Sequence, residues 1–206
     1  MFQTSVLHAL SEAGLSESDV KLLDMQPDEI YASWQNKEID AAYVWDPTLS
    51  SIGNKTVLCT SGELAKKGYM TSNIEVVRKD FAEANPKIVD AYIRALAKAV
   101  DLYQNDKDTA VKTISDALEL STEDAEKQMG GSIWLNANEQ LGSDYFGTSD
   151  NKGAFASNLY DTANALKDMG SITDVPDKSI FEDAVNPKYI EDAVSSGYGS
   201  GKELTK

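Results

Sequence analysis

The sequence predicts an α/β fold, with a largely parallel sheet in residues 1–78 and a mainly helical remainder in 79–194. Three observations carry that prediction. Four short apolar runs, "DVKLLDM" (19–25), "DAAYVW" (40–45), "TVLCT" (56–60) and "NIEVVR" (73–78), have the length and composition of strands and are separated by turn or helix signals. "DAAYVW" is too apolar for a half-exposed strand and suits one covered on both faces, as in a parallel sheet. Beyond residue 79 the apolar period lengthens to that of a helix, with Ile88, Tyr92, Leu96 and Val100 four apart along one stripe.

Each element has its own local signal. Val6, Leu7, Leu10 and Ala13 give an amphipathic helix over 2–13 that Gly14 stops. Pro27 suits the first position of a helix whose buried side carries Ile30 and Trp34. "SGELAKKG" is a helical turn between the third and fourth strands, and Asn85 with Pro86 forms the cap and first turn of the long helix. Val111, Ile114 and Leu118 mark another helix, and Ser121 with Asp124 resembles a capping box for a short one ending near Gly130. The stretch 142–153 is a loop, followed by a helix with Phe155, Leu159, Thr162 and Leu166 that stops at Gly170. Pro187 starts the last helix, and residues 195–206, rich in Gly and Ser, read as a disordered tail.

Composition narrows the function classes. At 206 residues and 41% hydrophobic, the chain can build one core or two small lobes. Its 34 acids against 19 bases give a formal charge of −15, which repels phosphate backbones and anionic lipid, so nucleic acid is not an expected partner. Cys59 and His8 are the only residues of their types. They leave no internal disulfide, no Cys/His zinc cluster and no Cys–His pair, so no metal, cofactor or catalytic residue is expected. The opening "MFQTSVLHALSEAGL" lacks the basic and apolar regions of a signal peptide, and no apolar run approaches the roughly 20 residues of a membrane span.

In parallel α/β sheets, ligands bind beyond the carboxyl ends of the strands. Here those ends carry Gln26, then Trp45 with Asp46, then Asn73 preceded by Tyr69, Thr71 and Ser72. An indole offers an apolar wall or cation-facing surface, and an adjacent carboxylate holds an ammonium group. The opening helix offers free N–H groups near Phe2, Gln3 and Thr4 for a carboxylate or sulfonate. Together they describe a pocket for a small zwitterion. Each residue also has a plainer role: Trp34, Trp45 and Trp134 as packing, Asp46 and Gln26 as helix caps, His8 as structural or exposed, and the acidic faces around 116–126 as solvated surface.

Two runs carry a specific resemblance. "MQPDEIYASWQNKEIDAAYVWDP" followed by "VVRKDFAEANPKIVDAYIRAL" resembles the solute-binding proteins of taurine and alkanesulfonate ABC importers, with the motifs in the same order. "GGSIWLNANEQLG" and "LYDTANALKDMGSITDVP" follow that family's closing helices more loosely, so the resemblance covers essentially the whole chain. It implies a type II periplasmic-binding-protein-like fold, two α/β lobes that trap a solute by hinge closure. It further implies a chain holding the second lobe plus C-terminal helices of the first, an extracytoplasmic location and a membrane permease as partner. The chain differs in two respects: it begins inside the ligand-facing helix of the second lobe, and Asn73 stands where taurine binders favour an acid toward the ligand amine. The amide leaves Asp46 as the nearest counter-charge. With a lobe absent, the stripe of Phe155, Leu159 and Leu166 is expected to repack, self-associate or stay exposed.

Two other functions share this superfamily. An enzyme resembling the pyrimidine-precursor synthases of thiamin biosynthesis would need histidine and a cysteine-rich segment, which one His and one Cys do not supply. A ligand-sensing effector domain would have the same fold, with its DNA-binding segment elsewhere. The leading expectation is a non-enzymatic binding component for a small anionic or zwitterionic solute.

Overall fold

Prolines and small polar residues fix where the helices start. A computed structural model of the chain describes residues 2–67, 69–168 and 170–199, the side chains of Phe2 and Gln3 excepted. Most of the tail expected over 195–206 therefore lies outside the described residues. The chain divides into two compact units, Met1–Asn73 and Ile74–Lys206.

The first unit holds α1 (Phe2–Glu12), a 3₁₀ turn (Glu17–Asp19), α2 (Pro27–Gln35), α3 (Thr48–Ser51) and α4 (Ser61–Ala65). Gly14, at φ +73°, takes the left-handed conformation that ends α1. Pro27 opens α2, where the missing N–H is no loss, and the Glu29 carboxylate accepts the Gln26 N–H at 2.8 Å. At α4, Thr60 Oγ1 accepts the Glu63 N–H at 3.2 Å while the Glu63 carboxylate accepts the Thr60 N–H at 2.7 Å, a reciprocal cap. Ile52 and Leu64 are buried, α1 packs on α4, and α2 packs on α3. The Trp34 indole donates to the Gly53 carbonyl at 3.1 Å and fastens α2 to the turn after α3, in keeping with its expected packing role.

The expected strands are the main correction. Residues 21–26, 41–45, 55–60 and 69–78 are non-helical, but no strand forms among the described residues, and the isolated bridge Gly147–Lys152 lies elsewhere. A ladder needs a neighbour for each N–H and C=O, and these segments find none among the described residues. Their apolar side chains stand out accordingly: Leu58 is 85% and Val76 83% exposed. "DAAYVW" is not covered on both faces either, since Ala41, Ala42 and Trp45 are exposed and only Tyr43 and Val44 are half-buried.

The second unit is helical: α5 (Lys79–Ala84), α6 (Pro86–Asn105), α7 (Lys107–Leu118), α8 (Thr122–Gly130), α9 (Ala137–Gln140), α10 (Ala154–Asp168), α11 (Lys178–Ala184) and α12 (Lys188–Ser195). The long α6 packs on α7 and α12, α7 on α8, and α10 on α11. Ser121 Oγ accepts the Asp124 N–H at 3.0 Å, capping α8 as its sequence predicts. Ala97, Ala137 and Ile190 form one cluster, Val111, Ala125 and Met129 a second, and Phe155, Ala156 and Val185 a third. Phe146 packs against both the first and third, and stacks on Phe155 with ring centres 5.1 Å apart. Of the stripe Phe155, Leu159 and Leu166, Phe155 is buried with Val185, Leu159 packs against that cluster and Leu166 is half-buried.

The two sides of α6 differ in burial. The stripe Ile88, Tyr92 and Leu96 is not its buried side; Val89, Ala97 and Asp101 are buried instead, with Ile93 packed beside them. The helix is apolar on both sides, so periodicity alone cannot choose between them. Packing decides: the face with Ala97 lets α12 approach closely, and the buried Asp101 carboxylate accepts the Gly199 N–H at 2.7 Å.

Candidate functional site

All seven residues expected to line a ligand site, Phe2, Gln3, Thr4, Gln26, Trp45, Asp46 and Asn73, fall within the first unit. α1 begins at Phe2 as expected, so the first-turn N–H groups of an eleven-residue helix are present. The side chains of Phe2 and Gln3 lie outside the described ones, whereas Thr4 and Ser5 are buried, at 8% and 3% exposure, in that first turn. One turn further on, His8 stacks on Tyr69 with ring centres 3.6 Å apart and 18° between planes. That contact brings the segment leading to Asn73 against the α1 face that carries Thr4.

A second contact brings in the Trp45 segment. The hydroxyls of Tyr43 and Ser61 are 2.7 Å apart, tying residues 41–46 to the start of α4, which itself packs on α1. Trp45 lies two residues beyond Tyr43 and is 48% exposed, so its indole is a surface element rather than core. Asp46 is half-buried, and its Oδ1 accepts the Ser50 N–H at 3.0 Å as well as the Ser50 hydroxyl. It therefore caps the turn of α3, the plainer of its two expected roles, with one oxygen. Gln26 is exposed and caps α2. Asn73 is exposed at the end of the Tyr69 segment, with Thr71 and Ser72 half-buried before it.

Of the residues in the linking contacts, Tyr43–Ser61 and His8–Tyr69, strand-end reasoning named Tyr69, did not single out Tyr43 or Ser61, and read His8 as structural or exposed. Tyr43 carried a usable signal: in a period-two segment it shares a face with Trp45. His8 carried one too, as the residue one helical turn beyond Thr4. Burial pushes the His8 imidazole pKa below its usual 6.5, and the Glu12 carboxylate one turn further along α1 pulls it partly back.

A separate open cavity of about 350 Å³ lies where Glu12, Cys59, Glu63, Lys66 and Lys67 meet, and none of the seven expected ligand residues lines it. The Glu12 carboxylate accepts a bond from the Lys67 ammonium there and holds the Lys67 pKa above its usual value. Among the described residues no cluster of His, Cys, Asp and Glu has the makings of a metal site, and no helix is long and apolar enough to cross a membrane.

The first unit thus carries helix N–H groups and buried hydroxyls on α1, a half-exposed indole and a carboxylate at residues 45–46, and an amide at 73. Comparison with known proteins gives the family. A family model described as the substrate binding domain of ABC-type glycine betaine transport system matches residues 2–109. The taurine-binding periplasmic protein of Escherichia coli (strain K12) is 32% identical over 175 residues, 82% of this chain and 52% of that protein. A Bacillus subtilis (strain 168) protein provisionally named an aliphatic sulfonates-binding protein is 28% identical over 113 residues, 48% of this chain and 33% of that protein. The chain belongs to this family of ABC-transport substrate binding domains, and its fold is of the periplasmic-binding-protein type. It spans about half the length, or less, of the curated relatives it matches.

Proposed function

We propose that the chain forms part of the substrate-binding component of an ABC importer for a small sulfonate such as taurine, or a related zwitterion. It works outside the cytoplasm, delivers its solute to a membrane permease and catalyses no reaction. The observation that carries this reading is the 32% identity to the taurine-binding periplasmic protein over 82% of the chain, and the His8–Tyr69 and Tyr43–Ser61 contacts within the first unit support it.

In this reading the first turn of α1, with Phe2, Gln3 and Thr4, cradles the sulfonate, since helix N–H groups and a hydroxyl suit a compact anion. Trp45 walls the pocket, Asp46 faces the ammonium, and Gln26 and Asn73 supply amide donors and acceptors at the rim. The chain corresponds to the second lobe and the closing helices of a type II fold, and its unpaired segments join a parallel sheet when the remainder of that fold is present. Alone, it binds its solute weakly, because specificity is a difference of affinities and half the contacts are elsewhere. A quaternary ammonium zwitterion is the second reading, favoured by the matched family description and by the exposed Trp45 indole, on which such cations settle.

Asp46→Asn tests the ammonium role. The amide can still accept from Ser50, so the α3 cap survives while the charge is lost. Ligand-observed NMR with taurine and a plain alkanesulfonate is expected to show taurine losing its advantage, by about tenfold for one charge-assisted bond. An unchanged ratio between the two would leave Asp46 as a cap only.

A further inference from the structure

His8 is the only histidine of the chain, and it stands on α1 one helical turn beyond Thr4, about 6 Å along the axis. Helix side chains lean toward the N-terminus, so its ring is directed over the turn that carries Thr4 and Ser5. The stack on Tyr69, with ring centres 3.6 Å apart, holds it between that turn and the segment leading to Asn73. A sulfonate at the first-turn N–H groups of α1 would lie on the order of 10 Å from the imidazole, close enough for a charge on the ring to be felt. The other charged groups around the ring are Glu12, one turn further along α1, and Lys67, which pairs with it. α4, which packs on α1, carries Glu63, with Lys66 beyond its end and Cys59 before its start. Histidine is the one side-chain type that ordinarily changes charge between pH 5 and pH 8.

We propose that His8 couples solute capture to pH: an anion bound at the first turn of α1 draws a proton from solvent onto the imidazole, and the charged ring strengthens the hold on the anion. His8 has this role only if that turn cradles the sulfonate, as proposed above. A neighbouring anion favours the imidazolium form, so the His8 pKa of the loaded protein stands above that of the free protein. Burial keeps the free value below 6.5, and the opposing pull of Glu12 is smaller. Affinity is therefore flat above the loaded pKa, rises as the pH falls from there to the free pKa, and is flat again below it. Linkage fixes the size of the rise, because the ratio of the affinities at the two extremes equals the ratio of the two acid constants of the ring. At a separation on the order of 10 Å, between the bulk-water and near-surface limits, that ratio is about threefold, and salt reduces it. The solute does not titrate itself over this range, since a sulfonate stays ionised and the taurine ammonium stays protonated.

A lone histidine gives a single Cε1–H resonance, so NMR reads the proton on His8 directly. The untagged chain is titrated from pH 8 to pH 5 alone and then with saturating methanesulfonate, at matched ionic strength. Methanesulfonate is expected to lower the acid constant of the ring about threefold, and taurine, whose ammonium offsets part of the field, to lower it less. Calorimetry at pH 7.5 and pH 5.5 should show methanesulfonate binding more tightly at the lower pH, by up to the same factor. His8→Phe, which keeps a ring against Tyr69, is expected to bind at pH 7.5 as the parent does and to lose the gain at pH 5.5. That variant also separates His8 from the α-amino group of the chain, which ordinarily titrates near neutrality too. An unchanged or lowered His8 pKa with a solute that calorimetry shows to be bound overturns the coupling and leaves the solute-binding reading standing. No saturable heat from either solute at either pH overturns that reading, and the coupling with it.

Discussion

His8 shares a ring face with Tyr69, and that single contact links protonation to the folding of the first unit. Burial lowers the imidazole pKa below 6.5, so between its folded and unfolded values the unfolded chain binds more protons. The contribution to stability is complete above pH 6.5 and falls away as the pH drops through the folded value. Glu12, the charged group acting on the ring, narrows the window without reversing it. Urea midpoints measured from pH 7.5 down to pH 5 are expected to decline, and His8→Phe, which keeps an aromatic partner for Tyr69, should flatten that decline. An equal decline in the variant would assign the effect to other groups. At the same scale, the role of Asp46 was only half legible in the sequence. An acid before a proline is both a cap and a ligand candidate, and the Ser50 N–H four residues ahead shows the cap in place.

Helix ends were the most legible elements, because their signals are local. Pro27, Pro86, Ser121 and Gly14 each act through their own backbone or a residue three positions away. Ser121→Ala therefore should cost about 1 kcal/mol, read as a lowered denaturation midpoint, with α8 fraying in hydrogen exchange. Loss of protection spread over the whole second unit, rather than α8, would mean that the hydroxyl does more than cap. The apolar runs at 19–25, 40–45, 56–60 and 73–78 read as strands, yet none pairs among the described residues, since pairing depends on groups distant in sequence that a local pattern does not supply. On α6 the local pattern left the inward side open. Its apolar residues occupy both sides, and only the approach of α12 through Ala97 and Ile190 determines which is inward.

At the scale of the whole molecule, the candidate residues could be named from the sequence, and the contacts between their elements could not. Strand-end reasoning named Trp45, Asp46 and Asn73, and helix-start reasoning named Thr4, but what draws their elements together is the stack of His8 on Tyr69 and the Tyr43–Ser61 bond. Both are side-chain contacts between segments far apart in the chain, which periodicity cannot reveal. The acidic charge makes local donors, rather than a long-range field, the means of holding an anion. The most direct test of a solute-binding role is calorimetric titration of the folded chain with taurine, a plain alkanesulfonate and glycine betaine. Saturable heat is expected with taurine at concentrations on the order of a millimolar, weaker heat with the alkanesulfonate and least with glycine betaine. Glycine betaine binding more tightly than both sulfonates, or no saturable heat from any of the three, would contradict it.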